Sequence, residues 1–337
     1  MALPASMSAM VLDAPGTPLR LAQLPVPHVH GHDVLIEVGA CGVCRTDLHV
    51  IDAELPAHLL PLIPGHEIVG RIVARGEAAH RFRSGQRVGV PWLAGTCGTC
   101  SYCLALQENL CAQAVFTGYD RHGGFAQYTL ADERFCFALP DCHDDVHAAP
   151  LLCAGLIGYR AYAMVRSACR IGLYGFGAAA HLLTQLAVHQ GRQVYAFTRP
   201  GDVRSQNFAF SLGATWAGAS TVMPPAPLDA AIMFAPDGAL VPQALAATVR
   251  GGTVVCAGIH MSDIPAFPYA LLWGERTLRS VANLTRADGE AYFALVSHGE
   301  VASVPVTFPL AQANDAIAAL RAGKLDGAAV LLPGLKA

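Results

Sequence analysis

The chain has 337 residues, of which 53% are hydrophobic and 14% charged, and its formal net charge is −3. That length exceeds what one hydrophobic core usually supports, so two domains are expected, and no Lys/Arg block or basic helix offers a surface for nucleic acid or an anionic membrane; small neutral substrates fit better. Charge this sparse, against roughly 25% in an average soluble protein, suggests surface covered by another subunit, with an alanine-rich habit accounting for part of it.

Met1 to Met10 carries no basic segment followed by an apolar core, and no apolar run reaches the length that crosses a bilayer, so a cytoplasmic protein is expected. There are eleven cysteines, an odd number that would leave one unpaired in an oxidising compartment. Reduced thiols and metal ligands account for them better.

In chain order, Val34–Val38, Ile68–Val73 and Arg87–Val90 are short strand-like stretches separated by glycine and proline, which predicts a β-rich first domain. Between and after them stand Cys44-Arg45-Thr46-Asp47, Gly65-His66-Glu67, and the cluster Cys97, Cys100, Cys103 and Cys111. Four thiolates from one loop fill every position around a tetrahedral ion and make a closed, structural site. Cys44 and His66 need a third ligand from elsewhere and leave one position open, the arrangement of a catalytic zinc. A strand-like Gly124–Thr129 follows the cysteine loop.

After Ala148-Ala149-Pro150 the character changes. Arg170–Tyr174, Gln193–Phe197, Asp229–Phe234 and Gly252–Ala257 are continuously apolar and separated by helix-length segments, as in a parallel sheet covered on both faces. From about Thr277 the text returns to mixed β and α, with a helix around Ala311 to Ala322.

The first of those apolar strands runs into Gly175-Phe176-Gly177-Ala178-Ala179-Ala180, and His181 to Val188 has helical spacing. In a dinucleotide turn of this form Gly175 permits the tight turn, and Gly177 lets the backbone approach a pyrophosphate. Ala180 allows close helix–strand packing, and the helix N-terminus, beginning near Ala178, offers N–H groups to the phosphates. The next strand ends in Thr198-Arg199 where an NAD enzyme carries an acid for the ribose. An uncharged Thr198 and a nearby guanidinium favour NADP over NAD, while Arg199 reads equally well as a solvated loop charge.

Cys44-Arg45-Thr46-Asp47, His49, Gly65-His66-Glu67, the four-cysteine lobe, Leu151-Leu152-Cys153-Ala154-Gly155 and the glycine turn, in this order, resemble the medium-chain zinc-dependent alcohol dehydrogenases over nearly the whole chain. The resemblance implies an α/β protein with a β-rich GroES-like catalytic domain over residues 1–148, carrying a structural zinc lobe at 95–112. A Rossmann domain with a doubly wound parallel sheet follows over 149–276, and 277–337 returns to the catalytic domain. It implies two zinc ions per chain: a catalytic one on Cys44, His66 and Cys153, and a structural one on Cys97, Cys100, Cys103 and Cys111. The active site is expected between the domains, and the assembly to be a homodimer or homotetramer.

Further roles come with the resemblance. Thr46 passes the alcohol's proton, and the relay continues through the nicotinamide ribose to His49; Arg45 meets the pyrophosphate. Gly258 joins the cofactor set. Asp47 and Glu67 support the ligands from behind, Asp47 accepting from the free ring nitrogen of His66. The bland alternatives are a strand-end hydroxyl for Thr46, a solvated ring for His49 and a surface cation for Arg45. Trp92, Ile51 and Ile157 are expected to form an apolar substrate pocket, although a buried Trp is as often core. Cys41, three residues before Cys44, is left out of the site, and Cys41, Cys136, Cys142, Cys169 and Cys256 are read as small buried hydrophobes.

Two departures from the family pattern stand out: Ile157 where many relatives have a Thr against the carboxamide, and Asp326-Gly327-Ala328 where some have an Arg. The rival readings are a zinc-free quinone or enone reductase, which lacks the Cys44, His66 and Cys153 combination, and a non-catalytic zinc-binding protein that has kept the fold.

Overall fold

A computed structural model describes residues 3–56, 59–325 and 327–335. The chain divides into two compact units, Met1–Cys153 with Thr285–Gly299 and Ser303–Ala337, and Ala154–Leu284 with Glu300–Ala302.

The first unit begins with β1 (Ser6–Val11) and β2 (Arg20–Pro25), an antiparallel pair, and then β3 (Asp33–Val43). Helix α1 (Arg45–Ile51), β4 (Glu67–Arg75), β5 (Arg87–Val90) and β6 (Leu93–Gly95) follow. The cysteine lobe holds α2 (Ser101–Leu104) and leads to β7 (Val115–Phe116), β8 (Tyr128–Asp132), β9 (Phe137–Ala138) and α3 (Asp145–Ala148). In the second unit α4 (Ala154–Ala163) precedes β10 (Arg170–Tyr174), α5 (Ala178–His189), β11 (Gln193–Thr198), α6 (Val203–Ser211) and β12 (Trp216–Ala219). It ends with β13 (Leu228–Met233), α7 (Leu240–Ala247), β14 (Thr248–Cys256) and β15 (Thr277–Ser280). The chain then returns to the first unit through α8 (Arg286–Leu295), β16 (Pro305–Pro309), α9 (Ala313–Arg321) and β17 (Ala328–Leu332).

Among the described residues the main sheet of the first unit runs β16-β17-β3-β4-β5-β9, with β8 also paired to β3. Strand β3 is buried along most of its length because its residues are apolar on both faces, so it becomes the strand on which the others assemble. Its antiparallel register with β4 runs from Val34↔Arg75 to Gly42↔Glu67. That register decides where the chemistry falls. Cys44, one residue past β3, and His66, one residue before β4, come to the same end of the ladder.

The sheet of the second unit has the order β12-β11-β10-β13-β14-β15, every pairing parallel. Counted from β10 this is 3-2-1-4-5-6, the doubly wound order in which ligands bind where the winding reverses, beside the first strand. Tyr174 and Phe197 stack face to face at 4.0 Å and anchor one side of that sheet.

The boundaries differ from those expected at 148 and 276. Ala149–Leu152 and Cys153 stay with the first unit, and β15 is a strand of the parallel sheet, registered from Thr253↔Thr277, so the second unit continues to Leu284. Strand β15 is a mostly exposed edge made of Thr-Leu-Arg-Ser, and such a strand has no apolar signature. The stretch expected as a strand over Gly124–Thr129 is shifted: its first half instead bridges β1, with Met10 N–H donating to Phe125 O at 2.8 Å, and β8 starts only at Tyr128. Cys41 and Cys136 are buried as read, but Cys142 and Cys169 are exposed and Cys256 is half-buried, because all three lie at or near the ends of elements.

His181 in α5 is 1% exposed and its Nε2 has no partner among the described residues. Burial pushes its ring down to about 4. The folded state therefore refuses a proton that the unfolded chain takes up below about 6.5. As pH falls from 6.5 toward 4, stability drops by about 1.4 kcal/mol per unit from this group alone. Unfolding measured at pH 7 and pH 5 should show His181→Leu gaining on the wild type by about 2 kcal/mol between the two; a pH-independent difference refutes this.

Candidate metal centres and nucleotide turn

The lobe after β6 wraps four cysteines around one point. Cys97 Sγ lies 3.9 Å from Cys103 Sγ and 3.6 Å from Cys111 Sγ, and the ligand atoms of Cys97, Cys100, Cys103 and Cys111 all lie within 4.8 Å of one another. Two thiolates bound at about 2.3 Å to a tetrahedral ion sit about 3.8 Å apart, so the spacing fits. Gly98 takes a left-handed φ of 73°, which turns the backbone under Cys97. Backbone N–H groups of Thr99 and Cys100 donate to Cys97 Sγ, the latter at 3.3 Å, and pull that thiol down to about 6. A thiolate is prepared before any metal arrives. The lobe is tied to α8 by Glu108, a buried carboxylate that accepts from Arg286 N at 3.0 Å and Nε at 3.1 Å.

The second cluster stands at the end of the β3–β4 ladder. Cys44 Sγ lies 3.1 Å from His66 Nε2 and 3.7 Å from Cys153 Sγ, the last distance again matching two thiolates on one tetrahedral ion. Cys44 is the N-cap of α1, and Thr46 N–H donates to its sulfur at 3.2 Å. Asp47 closes the capping box: its Oδ2 accepts from Cys44 N at 2.8 Å. Its Oδ1 accepts from Gly65 N at 3.2 Å and lies 3.2 Å from His66 Nδ1. One fully buried carboxylate thus fixes the first residue of the helix and the turn before His66, and it stands beside a ring whose Nδ1 makes no hydrogen bond among the described residues and whose Nε2 is turned to Cys44 Sγ.

Glu67 also belongs here. The ligand atoms of Cys44, His66, Glu67 and Cys153 lie within 4.8 Å of one another, and Glu67 Oε2 is buried without a hydrogen-bond partner among the described residues. The Glu67 carboxyl is pushed well up by burial and by the Cys44 charge, and the Asp47 carboxyl is pushed up by burial. Cys44 and Cys153 share a sulfur–sulfur hydrogen bond that lowers the first thiol and raises the second. The pocket is crowded with groups that become anionic and is short of positive charge. A divalent cation held by two thiolates and an imidazole resolves that imbalance, and this donor set suits zinc.

The other expected residues distribute unevenly. Thr46 is buried beside Cys44 and Arg45 is exposed at the first turn of α1. His49, one turn on, pairs through Nδ1 with Glu54 Oε2, a partner that no motif signals because Glu54 sits in an irregular loop. Trp92 packs edge-on against His66 with ring centroids 4.8 Å apart and stacks on Phe116 at 5.2 Å. Tyr119, 5.6 Å from Trp92, completes an aromatic wall. Phe116 and Tyr119 went unread because only their approach to Trp92 in space gives them meaning. Ile51 lines a cavity of about 450 Å³ with Pro18, Asn314, Ile317 and Arg321. Its helical phase points it from α1 toward α9. Ile157 is half-buried in α4 of the second unit. Cys41 is buried in the core, and burial pushes its thiol well up, in keeping with its exclusion.

The glycine turn lies at the carboxyl end of β10, where the sheet reverses its winding. Gly175 has φ 88° and its N–H donates to Phe197 O at 2.9 Å. A Cβ there would stand 2.7 Å from Ala235 N, so only glycine fits. Gly177 caps α5 without a side-chain hydrogen bond, and a Cβ on it would meet open space. Ala178 begins α5, and Ala180 is fully buried against the sheet. Thr198 is turned inward, its hydroxyl donating toward Arg199 O at 3.2 Å and accepting from Gln206 Nε2 at 3.0 Å. Arg199, the residue after it, is exposed. Gly258 lies two residues past β14, and Asp326 is outside the described residues.

A sheet of doubly wound order with a glycine turn at its reversal, and a β-rich unit bearing a closed and an open metal-ligand cluster, define a metal-dependent dehydrogenase architecture. Residues 30–141 match the model of the alcohol dehydrogenase GroES-like domain family. The chain is 44% identical to the Mycobacterium tuberculosis (strain CDC 1551 / Oshkosh) protein named "Probable alcohol dehydrogenase AdhA", over 97% of this chain and 98% of that one. It is 32% identical to an alcohol dehydrogenase of Moraxella sp. (strain TAE123), covering 96% and 99%. A cinnamyl alcohol dehydrogenase from Sorghum bicolor superposes with a TM-score of 0.89 at 25% identity, over 98% of this chain and 99% of that one. The chain belongs to the medium-chain zinc-dependent alcohol dehydrogenase family.

The two glycines should separate on substitution. Gly177→Ala, with open space at its Cβ, should change stability by no more than about 0.5 kcal/mol and weaken binding of a nicotinamide dinucleotide in calorimetric titration. Gly175→Ala, which combines a positive φ with a backbone clash, should lower the melting temperature. Equal binding by Gly177→Ala and the wild type would refute the role given to that open space.

Proposed function

We propose that this chain is an NAD(P)-dependent alcohol dehydrogenase that interconverts alcohols with aldehydes or ketones, with one catalytic and one structural zinc ion per chain. The observation that carries the reading is the meeting of Cys44, His66 and Cys153, from three distant segments, at one point, with the two sulfurs at the spacing of ligands on a tetrahedral ion. A zinc ion held by these ligands would supply a Lewis acid that makes an alcohol's hydroxyl proton easier to remove near neutral pH. The remaining contributions belong to the chain. Asp47 holds the His66 tautomer that presents Nε2. The Thr46 hydroxyl, two residues from Cys44, receives the alcohol's proton and passes it on. His49, paired with Glu54, is the outer end of that path. Trp92 with Phe116 and Tyr119 gives the substrate an apolar wall and keeps water from His66, which favours unbranched or aromatic primary alcohols.

For the cofactor, Gly175, Gly177 and the N-terminus of α5 take the pyrophosphate, and Gly258 lines the nicotinamide side. Thr198 leaves no carboxylate against a 2′-phosphate, and Arg199 provides a cation for one, which supports NADP over NAD. A dimer or tetramer is supported by the edge position of β15 and by Tyr269 and Trp273, exposed by 72% and 56% on the segment leading to it. Free thiols throughout fit a reducing cytoplasm, and no helix among the described residues is long and apolar enough to cross a membrane.

Metal analysis of the purified protein should give two zinc ions per chain. Removal of the one bound by Cys44, His66 and Cys153 should abolish oxidation of a panel of primary alcohols followed at the nicotinamide band; a metal-free preparation with full activity refutes the mechanism. Steady-state comparison of NADPH with NADH should favour NADPH, and Arg199→Ala should shrink the ratio about 10-fold or more, the loss of one charge-assisted contact worth roughly 1.5–3 kcal/mol. An unchanged ratio removes Arg199 from cofactor selection.

A further inference from the structure

We infer that Gly42 is a positioning residue: its missing side chain is what lets the Glu67 carboxylate lie across β3 and reach the Cys44, His66 and Cys153 cluster. The inference rests on the reading of that cluster as a metal site. Gly42 and Glu67 are direct partners in the antiparallel β3–β4 register. Side chains so opposed normally stand side by side about 5 Å apart at Cβ. Here they cannot. A Cβ built on Gly42 would lie 1.8 Å from Glu67 Oε2, 2.8 Å from its Cδ and 2.9 Å from its Cβ. The whole Glu67 side chain therefore occupies the space that any residue at 42 other than glycine would fill.

Nor has Glu67 anywhere else to go. It is 2% exposed, and Gly42 lies between β4 and β17, paired to Val330 on its other side. Backbone geometry does not demand the glycine, since its φ lies outside the left-handed region. The demand is spatial. Oε2, the oxygen closest to the missing Cβ, is buried without a hydrogen-bond partner among the described residues, and one oxygen of the same carboxylate belongs to the group of mutually close ligand atoms. A buried carboxylate oxygen left without a donor is costly unless a cation compensates it. Gly42 thus keeps the carboxylate at a distance from which it acts on the metal as its close charged neighbour, and an alanine would tilt it away.

The experiment uses the zinc-loaded protein and the same protein with cobalt(II) exchanged into the open site, in four forms: wild type, Gly42→Ala, Glu67→Ala and the double variant. If Gly42 acts through Glu67, Gly42→Ala should shift the cobalt d–d absorption and speed loss of one zinc per chain to a chelator by about 10- to 100-fold, the range seen when a group supporting metal ligands is lost. The second, structural zinc should be retained. Glu67→Ala removes Oε2 and Cδ and leaves only the 2.9 Å approach of its Cβ, so adding Gly42→Ala to it should change spectrum and zinc loss far less than Gly42→Ala changes them in the wild type. A Gly42→Ala protein with the wild-type cobalt spectrum and zinc retention overturns the inference, as does an equal additional loss in both backgrounds, which would place the clash on the backbone. Should Gly42→Ala not fold, the comparison of Glu67→Ala with the double variant still decides, because only a clash with Glu67 is relieved there. Failure of the underlying reading would show separately, as a wild type that binds only the structural zinc.

Discussion

The register between β3 and β4 is the constraint on which the open site depends. Because Gly42 faces Glu67, Cys44 and His66 emerge together at one end of the ladder, and a slip of one residue would turn one of them to the opposite face. Asp47 then fastens that end by bonding Cys44 N, Gly65 N and the neighbourhood of His66 Nδ1 with two oxygens. The ligands are therefore set by a largely buried strand pairing and by a helix-capping carboxylate, Asp47, that is itself fully buried. Only Cys153 comes from elsewhere, and it is delivered by the short turn Ala149–Leu152, whose residues are all buried against the same unit.

The two metal clusters use opposite electrostatic strategies. In the cysteine lobe, Cys97 is drawn toward its thiolate by backbone N–H donors at a partly exposed position. In the open cluster, burial works against every charged form, and the Cys44, Cys153, Asp47 and Glu67 groups compete for protons. The first arrangement is tolerant, since four sulfurs from one loop come within reach of one another without ligands from distant segments. The second is demanding because it buries acids that only a cation can satisfy.

Much of this was legible in the sequence, for reasons that differ by residue. The four cysteines and the glycine turn declare themselves because their chemistry depends on local spacing, and β10 through β14 because buried parallel strands are continuously apolar. Cys44, His66 and Cys153 could be joined only by resemblance, since nothing in their spacing says that they meet. The polar edge strand β15 and the phase of Ile51 were not legible: an edge strand has no burial to record in its sequence, and a side chain at the last turn of a seven-residue helix depends on what packs against it. Glu54 and the Phe116–Tyr119 pair depend in the same way on loops whose conformation the residues alone do not state.

Thr198 shows how the fold narrows a choice that the sequence leaves open. As a residue type it is merely an uncharged alternative to the acid that recognises an NAD ribose, and it could in principle have contacted a phosphate itself. Its hydroxyl is instead occupied by Arg199 O and Gln206, and it is 3% exposed. The strand end therefore contributes an absence of negative charge rather than a contact. Affinity for a 2′-phosphate then has to come from the exposed loop that follows, where a guanidinium is more strongly hydrated and held less rigidly than at a buried site. On the proposed reading, the strand end removes repulsion toward a 2′-phosphate, and the contact that selects NADP comes from Arg199.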